Sequence, residues 1–162
     1  MKRTISIIIC LCSLFSLVGF AIPERASAAG AEEVLVSETV QELPDGSSIV
    51  ITVKEQPIST YAASYMKAGT KTYSMKNSED EVLWEFVLHG TFLVRAGVSA
   101  TCSSASSSYY IYHPDWYYVN SSSHYSGNKA YGSATFEHTL IITIETRECS
   151  VTLACDANGN LS

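Results

Sequence analysis

An alternating pattern of large apolar and polar residues between Val82 and Ala96 constrains the fold more than any other feature of this chain. Every second residue is apolar or glycine, in the series Trp84, Phe86, Leu88, Gly90, Phe92 and Val94. The intervening positions include Glu85, His89, Thr91 and Arg95. Because successive side chains of a strand point to opposite faces, this period of two predicts one long β-strand with one buried face. Gly90 predicts a bend or bulge within it.

Turn residues separate further segments of the same period. Pro44 and Gly46 lie between strands predicted at 33–43 and 48–53, because proline presets one turn angle and glycine supplies the positive one. Later strands are predicted at 109–113, 116–123, 131–138, 140–146 and 148–155. Residues 57–70 sustain neither period and predict a connector, with a short helical turn at 61–67.

About eight short strands without an amphipathic helix predict an all-β protein, an antiparallel β-sandwich in preference to a barrel. The order Cys102, Trp116, Cys155 matches the cysteine, tryptophan, cysteine order of immunoglobulin domains, so an immunoglobulin-like topology is the finer expectation. Leu153, however, stands where the tyrosine of that family's corner motif is expected.

The amino-terminal residues 1–28 have the pattern of a cleaved signal peptide. Lys2 and Arg3 precede an apolar run from Ile5 to Ile22, and small residues at Ala26 and Ala28 suit a signal peptidase. We expect cleavage after Ala28 or Ala29, with an uncleaved amino-terminal anchor as the alternative. The protein is therefore expected to be secreted and extracellular, with residues 29–162 as a single domain.

The charge of the exported domain argues against several partners. Removal of residues 1–28 takes away Lys2, Arg3, Arg25 and Glu24, and leaves 7 basic and 15 acidic residues, a net charge of −8. Nucleic acid and anionic surfaces are bound through clustered lysine and arginine. We therefore expect no nucleic-acid partner and no membrane association after signal removal.

Three of the five cysteines lie in the exported domain: Cys102, Cys149 and Cys155. Cys149 and Cys155 fall on one predicted strand, where six residues span about 20 Å and cannot be bridged. Any disulfide must then use Cys102, and Cys155, at the end of its strand, is the expected partner. Cys149 shares the inward parity of Val151 and Leu153 and is expected to be a small buried hydrophobe.

An aromatic cluster is the main candidate for a binding surface. Seven of the ten tyrosines lie between Tyr109 and Tyr131, together with Trp116. Flat aromatic faces among serine and asparagine side chains can stack on sugar rings or hold a protein partner. The alternative is that strands of any function favour tyrosine. The candidate ligand-binding residues are Trp116, Tyr117, Tyr118, Tyr110 and Tyr112, and the candidate partners are a glycan, the cell envelope or another exported protein.

Catalytic and metal-binding patterns are weak. His113 and Asp115 near many serines contain the residue types of a hydrolytic triad, but no Gly-x-Ser-x-Gly elbow accompanies them. No zinc spacing is present, and the acidic run at Glu79 to Glu81 is typical of a solvated loop. We expect neither metal nor cofactor and no enzymatic activity. A toxin-like effector acting on neighbouring cells and a hydrolase are the alternatives.

The chain resembles small exported proteins of Gram-positive, chiefly Firmicute, bacteria whose function is uncharacterised. The resemblance covers most of the exported domain and implies a bacterial source and an all-β fold, but it carries no activity over. It depends on these segments: Leu43-Pro44-Asp45-Gly46-Ser47, Gly69-Thr70-Lys71-Thr72-Tyr73, Trp84 to Phe92, Thr101-Cys102-Ser103-Ser104-Ala105, Ser126-Gly127-Asn128-Lys129-Ala130, Val151-Thr152-Leu153-Ala154-Cys155-Asp156 and Gly159-Asn160-Leu161-Ser162.

Overall fold

The computed structural model describes residues 32–57, 62–139 and 144–162, and in this part the chain is all-β, as predicted. Its strands are β1 (Val34–Glu42), β2 (Ser48–Glu55), β3 (Ser64–Lys76), β4 (Val82–Arg95), β5 (Ser99–Ile111), β6 (Trp116–Ser126), β7 (Lys129–Thr139) and β8 (Ile144–Ala154). No helix that could cross a membrane occurs among these residues. The predicted signal peptide, residues 1–28, lies outside the described residues.

The strands form two antiparallel sheets, of five strands in the order β1-β2-β3-β4-β5 and of three strands in the order β6-β7-β8. Every hydrogen-bonded neighbour is thus the next strand along the described chain. An immunoglobulin domain instead mixes distant strands within each sheet. The expected immunoglobulin-like topology is therefore wrong, because consecutive hairpins take the place of the crossing connections.

The first hairpin follows the turn chemistry predicted from its sequence. Leu43 donates its backbone N–H to the carbonyl of Ser47 at 2.8 Å, and Gly46 donates to the carbonyl of Leu43 at 3.0 Å. Gly46 has φ +83°, a left-handed conformation that favours glycine. The turn joins β1 to β2 between Glu42 and Ser48.

Strand β4 supplies the centre of the apolar core. The predicted inner residues Trp84, Phe86, Leu88, Phe92 and Val94 are all buried. The Trp84 ring stacks on Phe136 of β7, with ring centroids 4.0 Å apart, so the two sheets meet in one core. The bulge predicted within β4 at Gly90 is not there, since Gly90 pairs regularly with Gly69 and Ala105. The register shifts next to it, between Thr91 and Phe92, and the extra residue is Ser103 of β5.

Residues 64–76 form a strand. The predicted helical turn is therefore wrong over 64–67, and the predicted connector is wrong from 64 to 70. Strand β3 escapes detection because its inner face is polar at Lys67 and Lys71. Lys67 is buried beside Glu55, with its Nζ 2.7 Å from Oε2. A buried lysine is tolerated when a carboxylate pairs with it, and the apolar period is then lost from the sequence.

The three-stranded sheet covers the core with smaller side chains. Ala134 and Phe136 of β7 point inward, as predicted, and are buried. Cys149 is also buried and shares its inward direction with Val151 and Leu153, which confirms the expected parity. Residues 144–154 form one strand, where the sequence predicted a break at Arg147.

Candidate functional site

The structure does not bring the five predicted binding residues together. Trp116 is buried, stacks on His138 with ring centroids 4.9 Å apart, and lies 5.9 Å from the ring of Trp84. Tyr118 also faces the core: its ring stacks on Tyr109 at 3.8 Å. Both side chains hold the two sheets together and offer little surface to a ligand.

The other three residues are exposed, but on two different surfaces. Tyr117 pairs with Glu137 and lies on the outer face of the three-stranded sheet, opposite to the inward Phe136. Tyr110 and Tyr112 lie at the end of β5, on the outer face of the five-stranded sheet, with ring centroids 6.4 Å apart. The tyrosine-rich stretch therefore supplies one pair of neighbouring exposed rings.

A carboxylate lies beside that pair. Glu85 of β4 accepts a hydrogen bond from the Tyr112 hydroxyl at 3.0 Å and from Ser74 Oγ at 2.8 Å, one on each of its oxygens. Ser74 is buried. Partial burial, and then the hydrogen bond and negative charge of Glu85, raise the pKa of Tyr112 and keep its hydroxyl protonated. The carboxylate is thereby held in a fixed position next to two aromatic rings.

The same outer face forms a groove of about 580 Å³, which we call the outer groove. It crosses the five-stranded sheet from β1 to β5. Its polar lining comes mainly from the middle strands, at Thr52, Thr70, Thr72, Ser74, Glu85 and His89. On the β5 side, His89 Nε2 lies 3.1 Å from Ser108 Oγ. Hydroxyl, imidazole and carboxylate groups are thus spread along one concave surface.

Sequence reasoning found part of this lining. The polar parity of β4 identified Glu85 and His89 as residues of an outer face. Thr70, Thr72 and Ser74 were missed, because the segment that contains them was assigned partly to a connector. Antiparallel pairing, which places Ser74 opposite Glu85 and Thr70 opposite His89, cannot be deduced from either strand by itself.

The residues of the hydrolase alternative lie elsewhere. His113 is half-buried and Asp115 is exposed, and His113 Nδ1 is 3.7 Å from Asp115 Oδ2. Ser47 lines the same cleft as His113, but its hydroxyl donates to Asp45. The imidazole and the serine are therefore not arranged as base and nucleophile.

That cleft, of about 340 Å³, opens between the ends of the two sheets. Its charged groups bind one another: Arg147 lies 2.5 Å from Glu145 and 3.7 Å from Asp45 in the first hairpin turn. Glu145 is in turn 3.9 Å from His138. The Arg147–Asp45 pair links β8 to the turn between β1 and β2 of the five-stranded sheet, so we assign the cleft a structural role.

The three described cysteines are buried free thiols, and the predicted Cys102–Cys155 bond is not formed in the structure. Burial raises the pKa of both Cys149 and Cys155 to about 11, which keeps these thiols protonated near neutral pH. Within the described residues, no group of three or more histidine, cysteine or acidic side chains could hold a metal ion.

Comparison of the chain with protein-family models, with curated proteins and with solved structures gives no match. We therefore infer the function from the geometry of the outer groove.

Proposed function

We propose that the protein is a secreted, non-enzymatic binding protein that holds a neutral glycan of the cell envelope in its outer groove. One observation carries the proposal: the exposed Tyr110 and Tyr112 rings lie beside a carboxylate, Glu85, that two hydroxyl groups hold in place.

This arrangement suits the chemistry of a sugar. The apolar C–H face of a pyranose packs on an aromatic ring, and its hydroxyl groups donate to a carboxylate. Ser74 and Tyr112 occupy one oxygen each, and every carboxylate oxygen has a second acceptor site. Because Glu85 is already ordered, less conformational entropy is lost on binding.

Charge favours a neutral ligand over an anionic one. The groove contains Glu33, Glu38 and Glu85 against Lys54 and Lys76, and the exported domain carries a net charge of −8. Phosphate-rich wall polymers would be repelled by this balance. Export itself depends on the signal pattern of residues 1–28, and the bacterial source depends on the resemblance described above.

The shared apolar core of the two sheets supports a β-sandwich as the architecture that presents this groove. We also propose that an exported disulfide oxidoreductase, in its disulfide form, joins Cys102 and Cys155 by disulfide exchange. The two cysteines lose two protons and two electrons, and the disulfide of the oxidoreductase takes them up and is reduced to two thiols. The backbone N–H groups of the two cysteines donate to adjacent carbonyls, those of Gly127 and Asn128. Thiol counting on the denatured secreted protein should then find one free thiol, and three after reduction. Three before reduction would contradict the bond, whose loss should cost about 4 kcal/mol.

Co-sedimentation of the secreted protein with isolated cell walls and insoluble neutral polysaccharides tests the binding site. We expect the Tyr110→Ala/Tyr112→Ala variant to bind at least tenfold more weakly, and Glu85→Gln to lose binding to a smaller degree. The matched control is Tyr117→Ala/Tyr125→Ala, which removes two exposed rings from the other sheet. Equal loss in both double variants, or no pelleting of the wild type, would contradict the proposal.

A further inference from the structure

Within the part of the chain that the structure describes, strand β1 is an uncovered edge of the five-stranded sheet. Among the described strands it pairs with β2 alone, and all nine of its residues are exposed. They include four apolar side chains, Val34, Leu35, Val36 and Val40, which are between 41% and 57% exposed. The opposite edge is different, because Cys102 of β5 donates its N–H to the carbonyl of Gly127 in the turn between β6 and β7.

The free backbone groups of β1 can be assigned from its pairing. Leu43 donates its N–H toward β2, to Ser47. Because N–H directions alternate along an antiparallel strand, the N–H and carbonyl groups of Glu38, Val40 and Glu42 point away from β2. The bulge between Leu35 and Ser37 leaves this stretch regular. A row of unpaired donors and acceptors of this kind is a template for another strand.

The charge of this edge is one-sided. Strand β1 and the two residues before it contain four glutamates, Glu32, Glu33, Glu38 and Glu42, and no lysine, arginine or histidine. The one basic residue of β2, Lys54, lies opposite Leu35, outside the stretch from Glu38 to Glu42. Strand β1 also lacks proline, so two common means of blocking an edge strand, lysine and proline, are absent from it.

We propose that β1 is a docking site for a basic, extended segment of another protein, which adds to the five-stranded sheet as a sixth strand. Backbone hydrogen bonds to Glu38, Val40 and Glu42 would supply pairing, and lysine or arginine side chains would lie beside the glutamates. Charge selects this occupant over a second copy of the chain, because pairing β1 with β1 brings two acidic hairpins together.

The experiment uses the full secreted protein and a capped synthetic peptide of alternating valine and lysine, with a second peptide in which glutamate replaces every lysine. NMR titration should shift the amide signals of Glu38, Val40 and Glu42 with the lysine peptide only. We expect Val40→Pro, which removes an outward N–H, and Glu38→Lys/Glu42→Lys each to weaken binding at least tenfold. The control Glu79→Lys/Glu148→Lys makes the same change of net charge away from β1 and should stay within twofold.

Four results would overturn the proposal. The first three are that the lysine peptide fails to bind, that the glutamate peptide binds equally well, and that the control variant weakens binding as much as the β1 charge variant. The fourth is self-association of the protein, in sedimentation velocity, that Val40→Pro abolishes, since the edge would then belong to a second copy. The charge variant leaves every backbone hydrogen bond of β1 available, so the test does not depend on whether the proline variant folds.

Discussion

Strands β4 and β7 run through the same core and fill it in opposite ways. The inner residues of β4 are among the largest in the chain, with Trp84, Phe86, Leu88 and Phe92 all buried. Over most of its length β7 presents small ones: Ala130, Gly132 and Ala134, before Phe136. The large side chains of one sheet occupy the space that the small side chains of the other leave free.

The close packing of the two sheets therefore depends on glycines, which have no side chain, as much as on large apolar residues. A Cβ at Gly132 would lie 3.0 Å from carbon atoms of both Phe86 and Leu88. A Cβ at Gly90 would lie 2.9 Å from Phe92 and 3.0 Å from Leu153 of β8. Cores are packed to the density of organic crystals, so contacts this short leave little freedom to shift.

The largest expected effect comes from removing a large residue of β4. Phe86→Ala should lower the free energy of unfolding by about 3–5 kcal/mol, because Gly132 opposite cannot fill the cavity. Chemical denaturation measures this. Leu93→Ala, on the exposed face of the same strand, is the control and should cost less than about 1 kcal/mol. If both variants lost the same free energy of unfolding, the large inner side chains of β4 would stabilise the fold no more than its exposed ones.

A smaller effect is expected from enlarging the small strand. Gly132→Ala should destabilise the fold by about 1–3 kcal/mol through overpacking against Phe86 and Leu88. Combining it with Leu88→Val should recover part of that loss, and a double-mutant cycle measures the recovery. Strict additivity of the two changes would contradict the contact.

The smallest effect concerns pH. Under reducing conditions the folded chain keeps the Cys149 proton up to about pH 11, whereas the unfolded chain releases it near pH 9. The stability this group contributes is therefore complete below pH 9 and is lost as the pH rises toward 11, at no more than about 1.4 kcal/mol per pH unit. Cys149→Ala should flatten the slope of unfolding free energy between pH 9 and 11. An unchanged slope would show that Cys149 does not titrate there.

The contrast between β3 and β4 explains how much of the fold the sequence could predict. In β4 the inner residues are apolar, so the sequence shows the period of two. That period predicted both the burial of Trp84 and the outward direction of Glu85. In β3 the inner Lys67 is paired with Glu55, so an ion pair distant in sequence replaces the apolar signal. Strand β5 was missed for a related reason, since its residues 103–108 are serine and alanine alone and show no apolar period.

The candidate site was predictable to a similar degree. Tyr110 and Tyr112 were identified because tyrosines are conspicuous in composition, and Trp116 was chosen with them although it belongs to the core. Only the register of the sheet brings Ser74 and Tyr112 to Glu85, and register depends on pairing between strands that local patterns do not specify.

The consecutive order of strands in both sheets bears on how the chain folds. Each hydrogen-bonded pair in the described chain forms between neighbours in sequence, so every sheet can grow one hairpin at a time. Contacts between nearby segments close short loops and lose little chain entropy, which favours rapid folding relative to all-β proteins with crossing connections. The late event is then the docking of two preformed meanders about the segment that joins β5 to β6.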